Sequence, residues 1–187
     1  MKLRAMLVVT LALSGCSFFS RSQSHFFSLD VLPPATTSST ARSVPLGIDA
    51  LELPPPVDRR EIVVRQANER VEIRGTDQWS APFKPLVLHT LAFDLAARLP
   101  EGALVLPGAP RPSGAMRSLS VVIGELSAGP DAKVTLDARW TLRTPGAADA
   151  AHHERIEIPI ASLDSANIAS GTSQAIAALA DRVAAGV

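Results

Sequence analysis

The chain has 187 residues, of which 47% are hydrophobic, and it carries 18 basic and 18 acidic side chains. This hydrophobic content is enough for one globular core and excludes disorder as the main state. The balanced charge excludes the basic surface typical of nucleic-acid-binding proteins, so no nucleic-acid partner is expected. All 15 prolines lie after residue 15 and argue against a helical bundle, because proline interrupts helices.

The first 15 residues have the pattern of a signal peptide. Lys2 and Arg4 precede an uncharged run that extends from Ala5 to Leu13. This run is about half as long as a helix that crosses a bilayer, which needs roughly 20 residues. We therefore predict export of the chain without a membrane-spanning helix.

The only cysteine follows this segment directly. Leu13-Ser14-Gly15-Cys16 is similar to the lipobox of bacterial lipoproteins, in which the cysteine is acylated and becomes the first residue. We expect residues 1–15 to be the signal peptide, residues 16–24 a lipidated tether and residues 25–187 a single domain. The alternative is an ordinary secreted protein with a stray cysteine.

Hydrophobic periodicity predicts short strands and two helices. Gln66 to Glu69 suit a hairpin turn with Asn68 at its tip. Ser80 is the predicted cap of the first helix, whose apolar residues recur every three or four positions. Strands are predicted at 26–31, 44–53, 62–65, 70–74, 103–106, 118–123, 134–143 and 156–160, and helices at 82–99 and after Asp164 or Ser165.

This order of elements favours an α+β fold. Residues 118–123 and 134–143 alternate between apolar and polar side chains, which is typical of strands with one buried and one wet face. The chain lacks the regular strand–helix–strand alternation of parallel α/β proteins. We predict an antiparallel or mixed sheet with two helices packed on one face, and we find no internal repeat.

A search for catalytic or metal-binding motifs is negative. His152-His153-Glu154 resembles a metal cluster, but neighbouring residues on a strand point to opposite faces. No Gly-x-Ser-x-Gly elbow is present, and the segment from Pro107 to Gly114 lacks the ending of a phosphate-binding loop, so a mobile loop is expected there. We therefore predict no catalytic residue, no metal, no cofactor and no enzymatic activity.

The remaining conspicuous side chains are expected to be structural. Asp94 is predicted to be a solvated charge on its helix, and Asp58 to cap a turn beside Arg59. Trp79 and Trp140 are predicted to pack in the core rather than to stack on a ligand.

Read together, these segments resemble the PqiC-type family of ABC transport auxiliary lipoproteins, also described as membrane integrity-associated transporter lipoproteins. The resemblance covers almost the whole exported domain. This chain has phenylalanines where the family usually has tyrosines at the first of its marks. The marks are Phe26-Phe27-Ser28-Leu29, the run from Leu53 to Arg65, Trp79-Ser80-Ala81-Pro82-Phe83 and Leu136-Asp137-Ala138-Arg139-Trp140.

The resemblance implies a fold similar to the amino-terminal domain of TolB. It also implies an outer-membrane lipoprotein, anchored by acyl chains such as palmitate on Cys16 and facing the periplasm. Its implied partners are an inner-membrane ABC transporter and an MCE-domain protein, with phospholipid as possible cargo. Ser17 after the cysteine is similar to the sorting pattern of outer-membrane lipoproteins in enteric bacteria.

Two functions remain open from the sequence. The first is a non-catalytic component of a system that moves lipids between the two membranes. In that role, copies of the chain would surround or cap a conduit together, either as a homo-oligomeric ring or by docking around an MCE assembly. The second is an assembly or structural lipoprotein without a transport partner. Stiff, extended prolines suit a contact surface, so the candidate partner-interface residues are Pro54, Pro55, Pro56, Asp58 and Arg59.

Overall fold

The structure of the protein is a computed structural model, and it describes residues 23–34 and 44–187. The predicted signal peptide, Cys16 and most of the predicted tether lie outside the described residues. The described part contains eight strands and two α-helices. They are β1 (His25–Phe27), β2 (Leu46–Glu52), β3 (Glu61–Arg65), β4 (Val71–Trp79), α1 (Phe83–Arg98), β5 (Leu104–Val105), β6 (Arg117–Gly129), β7 (Lys133–Arg143), β8 (Ala150–Pro159) and α2 (Ser165–Gly186).

The eight strands form one mixed sheet organised around β6. On one side, β6 pairs antiparallel with β7, which pairs antiparallel with β8. On its other side, β6 pairs parallel with β2 along its first half and with β3 at Ala128. Strand β4 is antiparallel to β3, whereas β1 is parallel to β4 and β5 is parallel to β2. The predicted α+β class with a mixed sheet is confirmed.

Alternating side chains give the sheet one buried and one open face. Leu119, Val121 and Trp140 face the core. Their chain neighbours Val122 and Arg139 are exposed. The pairing of β6 with β7 shifts by one residue between Ile123 and Glu125. A bulge of this kind reverses the alternation. Even-numbered residues of β6 are therefore buried beyond this point.

Both helices cover the buried face. The apolar stripe of α2 is buried from Ile168 to Val183, and α1 contributes Val87, Leu91 and Leu95 to the same core. Helix α2 lies very close to the sheet at Gly171. An added Cβ there would stand 2.6 Å from a methyl group of Ile160.

The predicted cap of α1 is wrong. The residue before the helix is Pro82, which provides no side-chain cap. The Asp58 carboxylate instead accepts a hydrogen bond from the backbone N–H of Lys84 at 3.2 Å. Asp58 therefore caps a helix from a distant loop, which local spacing does not reveal. At α2 the predicted cap is present, because Asp164 accepts from Asn167 N–H at 2.8 Å.

The β3–β4 hairpin follows the prediction at its tip. Asn68 and Glu69 have positive φ angles of 61° and 62°, and Gln66 N–H donates to the carbonyl of Arg70 at 2.8 Å. Strand β4 extends farther than predicted, to Trp79, because its residues 77–79 pair with β1, although its pairing with β3 is interrupted between residues 74 and 78.

Candidate functional site

The structure does not assemble a metal site from the histidine pair on β8. The His152 ring stacks on Trp140 with a centroid distance of 3.9 Å, whereas His153 Nε2 lies 3.0 Å from Asp137 Oδ1. The two imidazoles thus have separate partners on β7, Trp140 and Asp137. The described residues contain no group of three or more histidine, cysteine or acidic side chains that could hold a metal ion.

A buried ionic cluster joins the two helices, and this corrects the prediction for Asp94. Asp94 is not solvated: it is fully buried, as is Arg98 one turn later. Arg98 Nη1 lies 3.3 Å from Asp94 Oδ1, and Arg98 Nε donates to Asp181 Oδ1 of α2 at 2.7 Å. Burial raises the pKa of Asp94, although the Leu32 N–H and Arg98 act in the opposite direction.

The same cluster fastens the chain that enters from the amino terminus. Leu32 N–H donates to Asp94 Oδ1 at 2.9 Å, and the Leu32 carbonyl accepts from Arg98 at 3.3 Å. Asp30 N–H donates to Ser173 Oγ on α2 at 3.0 Å. These contacts clamp the segment after β1 against both helices, and their role is structural.

The open face of the sheet carries an ion-pair network. Arg65 lies 2.5 Å from Glu125, and Arg155 lies 3.5 Å from Glu125 and 3.6 Å from Asp137. Lys133 lies 3.0 Å from Glu157. This contact raises the pKa of the lysine and lowers that of the carboxylate. Three cations thus meet three carboxylates, so the network itself has no excess charge to attract an anionic ligand.

A polar groove and a small apolar cleft lie near this network. The groove has a volume of about 320 Å³ and runs between the tip of the β3–β4 hairpin and the β6–β7 turn. The cleft, beside the stacked Trp79 and Phe83, has a volume of about 20 Å³. A cavity of that size has room for one water molecule. The cleft therefore cannot take up an acyl chain.

The predicted partner-interface residues lie in the loop between β2 and β3. Pro55, Pro56 and Asp58 are exposed, whereas Pro54 and Arg59 are partly buried. Arg59 pairs with Glu61 at 3.0 Å, which lowers the pKa of Glu61. Asp58 and Arg59 thus have partners within the chain, and the two exposed prolines are the accessible part of this segment.

Large apolar side chains are also exposed on β1 and β4, the strands nearest the amino terminus of the described residues. Phe26 on β1 is 62% exposed, and Val71 and Ile73 on β4 are 51% and 48% exposed. Periodicity did not indicate that Val71 and Ile73 are exposed, because their pairing with Arg65 and Val63 of β3 decides which face of the sheet they lie on. Neither helix of the described residues is long and apolar enough to cross a membrane.

Comparison with known proteins defines the class of the chain. A family model described as the ABC-type transport auxiliary lipoprotein component matches residues 27–184. The chain therefore belongs to this family of transport auxiliary lipoproteins. No curated protein matches the sequence significantly.

Solved structures share the fold at low sequence identity. One, described only as an uncharacterized protein, is 16% identical with a TM-score of 0.74, over 88% of this chain and 98% of its own. Protein XCC0632 from Xanthomonas campestris, described as a DUF330 protein, is 13% identical with a TM-score of 0.68. That comparison covers 86% of this chain and 93% of the other. These neighbours confirm the mixed α+β architecture.

Proposed function

We propose that the chain is a non-catalytic lipoprotein subunit of an ABC transport system. It is anchored in the outer membrane through acylated Cys16, faces the periplasm, and helps to move lipids between the inner and outer membranes, which supports envelope integrity. The observation that carries this proposal is the family match over residues 27–184.

In this proposal the chain works with an MCE-domain protein and an inner-membrane ABC transporter, and phospholipid is the cargo. The cavities of the described residues do not suit an acyl chain, since the groove of about 320 Å³ is polar and the apolar cleft beside Trp79 has a volume of only about 20 Å³. A continuous passage for acyl chains therefore requires several chains together. A homo-oligomeric ring is the arrangement we favour, because cyclic closure repeats one interface without leaving it open.

The partner contact is proposed to centre on Pro55 and Pro56. Both are exposed, and a proline-rich segment loses little conformational entropy on binding because its backbone is already restricted. Asp58 and Arg59 follow them in the same loop and hold it in place through Lys84 N–H and Glu61. Exchange of Asp58 therefore affects α1 as well as a partner, whereas exchange of the two prolines leaves these contacts intact.

Affinity purification of the full, acylated chain from solubilised membranes tests the proposal. We expect an MCE-domain protein and ABC transporter subunits to co-purify, and we expect their recovery to fall for Pro55→Ser/Pro56→Ser. The matched control is Pro145→Ser, in the exposed turn between β7 and β8. Recovery of β-barrel assembly factors in place of transporter subunits would favour the assembly lipoprotein instead.

The anchor is tested separately with Cys16→Ala. This variant should fold, because the core described here contains no residue before Leu29 apart from the partly buried Phe27. It should also remain unprocessed or leave the membrane fraction. A wild-type protein recovered without added acyl mass would contradict the anchor.

A further inference from the structure

The exposed apolar side chains of β1 and β4 share one face of the sheet. Directly paired residues point to the same face of a sheet. Phe26 therefore points to the same face as Gln78, and Ile73 and Val71 point to the same face as Val63 and Arg65. All of these lie opposite the buried residues of the same strands. Val71 and Ile73, which we call the outer patch, thus lie on the open face at the hairpin end of β4, whereas Phe26, beside Gln78, lies at least five residues farther along that strand.

The outer patch is held firmly in position. Ser165 at the start of α2 donates to Asp77 at 2.5 Å and accepts from Arg74 at 2.8 Å. The Ser165 hydroxyl, with His25, lowers the pKa of Asp77. Strand β4 is therefore fixed to the helical layer beside the patch. Its apolar side chains are presented to solvent by a rigid element.

The direction of β1 brings the amino-terminal tether towards the patch. Strand β1 is parallel to β4, with His25 beside Asp77, and β4 begins at the hairpin tip. The chain before His25 therefore leaves the sheet on the side of the hairpin. Val71 lies six residues from Asp77, which is at most about 20 Å along the strand.

The length of the tether limits where the membrane can lie. Seven residue steps separate Cys16 from Gln23, a reach of at most about 25 Å. A domain of this length is about 40 Å across, from the usual scaling of radius of gyration with length. A bilayer that holds Cys16 consequently lies at the hairpin end and not at the far end of the sheet.

The chemistry of the hairpin fits a lipid surface. The outer patch is accompanied at the tip by the exposed Arg70 and Glu69, neither of which has an ion-pair partner among the described residues. Apolar side chains beside a cation are typical of elements that lie in the headgroup region. Arg65, in contrast, is already paired with Glu125.

We propose that the outer patch rests in the headgroup region of the membrane that holds Cys16, which fixes the orientation of the domain. The proposal rests on the acylated anchor of the proposed function. In this orientation the opposite end of the sheet, with β5 and the loop from Pro107 to Gly114, projects away from the bilayer.

Two matched labels test this orientation. Val71 and Val122 are both 51% exposed on the open face. The two positions are far apart. Val71 pairs with Arg65, whose neighbour Val64 pairs with Ala128 near the end of β6. Val122 lies six residues before Ala128, which is about 20 Å along β6. An environment-sensitive fluorophore is placed on Val71→Cys or Val122→Cys of the full, acylated chain in phosphatidylethanolamine/phosphatidylglycerol vesicles. Cys16 is blocked by lipid, so each variant carries one label.

We expect a lipid-borne quencher to remove most of the emission of the label at position 71, and little of that at position 122. Equal exposure of both labels to an aqueous quencher would overturn the proposal. So would a label at position 71 that is shielded from both quenchers, because protein would then cover the patch. Lipid quenching of both labels would place the whole sheet face on the membrane, against the orientation proposed.

The same samples separate this inference from the function on which it rests. Their acyl mass and flotation with the vesicles report the anchor alone. A chain that lacks the acyl mass and does not float would remove the anchor, and the inference with it. A chain that floats with an unquenched label at position 71 would leave the anchor intact and contradict only the orientation. Unchanged urea midpoints of both variants confirm that the labelled proteins are folded.

Discussion

Trp140 is the largest side chain in the core, and its neighbour Arg139 points to solvent. The indole is 1% exposed, stacks on His152 and lies against the last turn of α2 at Gly186. Strand alternation predicted this difference between adjacent residues, and the prediction is confirmed. Only the open face of the sheet is therefore available to a partner along this part of β7.

We expect Trp140→Ala to lower the free energy of unfolding by about 3–5 kcal/mol, the usual cost of truncating a buried tryptophan. Arg139→Ala should cost less than about 1 kcal/mol, because the side chain is exposed. Urea denaturation of the two variants measures both values. Similar midpoint shifts would show that the register of β7 is wrong.

Arg98 is the residue whose importance is least apparent from the sequence. Its removal would leave Asp94 buried without its cation and would detach Asp181 and the Leu32 carbonyl. We expect Arg98→Ala to cost about 3–5 kcal/mol, as is typical when one partner of a buried ion pair is lost. The exposed Arg182, next to Asp181 on α2, is the control. If Arg182→Ala destabilised the protein equally, the cluster would not be the cause.

The difference between Asp94 and a solvated acid explains part of what sequence reasoning missed. Asp94 and Arg98 are four residues apart, a spacing that surface ion pairs also have. Asp94 and Arg98 continue the three- and four-residue spacing of Val87 and Leu91 along the helix. Their position in this apolar stripe was the sequence signal that they are buried. The third member, Asp181, lies on another helix, and no local pattern indicates that contact.

At the scale of elements, the existence of the strands, the hairpin and both helices follows from periodicity. The first half of β8, which begins at Ala150, and the register shifts between strands do not. The shift after Ile123 reverses which residues of β6 are buried, and the interruption near Gly75 decides which residues of β4 share a face. Both depend on pairing between strands. The outer patch therefore became visible only once the register was known.

The close approach of α2 to the sheet gives a prediction for Gly171. An added methyl group would meet Ile160 and Val134 methyl groups at 2.6 and 2.8 Å. Overpacking costs about 1–3 kcal/mol, and the better helix propensity of alanine returns about 1 kcal/mol. We expect a net loss of about 1 kcal/mol for Gly171→Ala in urea denaturation. Ser170→Ala, at the neighbouring exposed position, should be neutral or stabilising, and an equal loss there would contradict the packing argument.

The cap of α2 gives a pH-dependent prediction. Hydrogen bonds from the Ser162 hydroxyl and Asn167 lower the pKa of Asp164 from its ordinary value of 3.8. A lowered pKa in the folded state means that this stabilisation is present above pH 3.8 and is lost as the pH falls through the folded-state value. Asp164→Ala should therefore lower the urea midpoint at pH 7, and the gap to wild type should close in acid.

Asp164→Ser is the control for this prediction, because serine also caps helices but does not titrate. At pH 7 the urea midpoint of Asp164→Ser should be higher than that of Asp164→Ala. A gap between wild type and Asp164→Ala that stays constant down to pH 3 would show that the carboxylate charge is not involved.

At the scale of the whole molecule, the fold separates two surfaces. The outer patch lies at the hairpin end of the sheet, and the exposed prolines lie in the loop that joins β2 to β3 alongside β6. One surface is proposed to meet the membrane and the other a protein partner. A lipid-anchored subunit that links a bilayer to a transport assembly requires both, and neither depends on a catalytic centre.

Site-specific photo-cross-linking in intact cells tests the central claim, a role in transport, most directly. A photo-reactive residue replaces Pro55, and the same residue at Pro145 serves as the control. We predict adducts to an MCE-domain protein or to a second copy of the chain from position 55, and not from position 145. Adducts only to β-barrel assembly factors, or none from position 55 of a correctly anchored protein, would contradict the account.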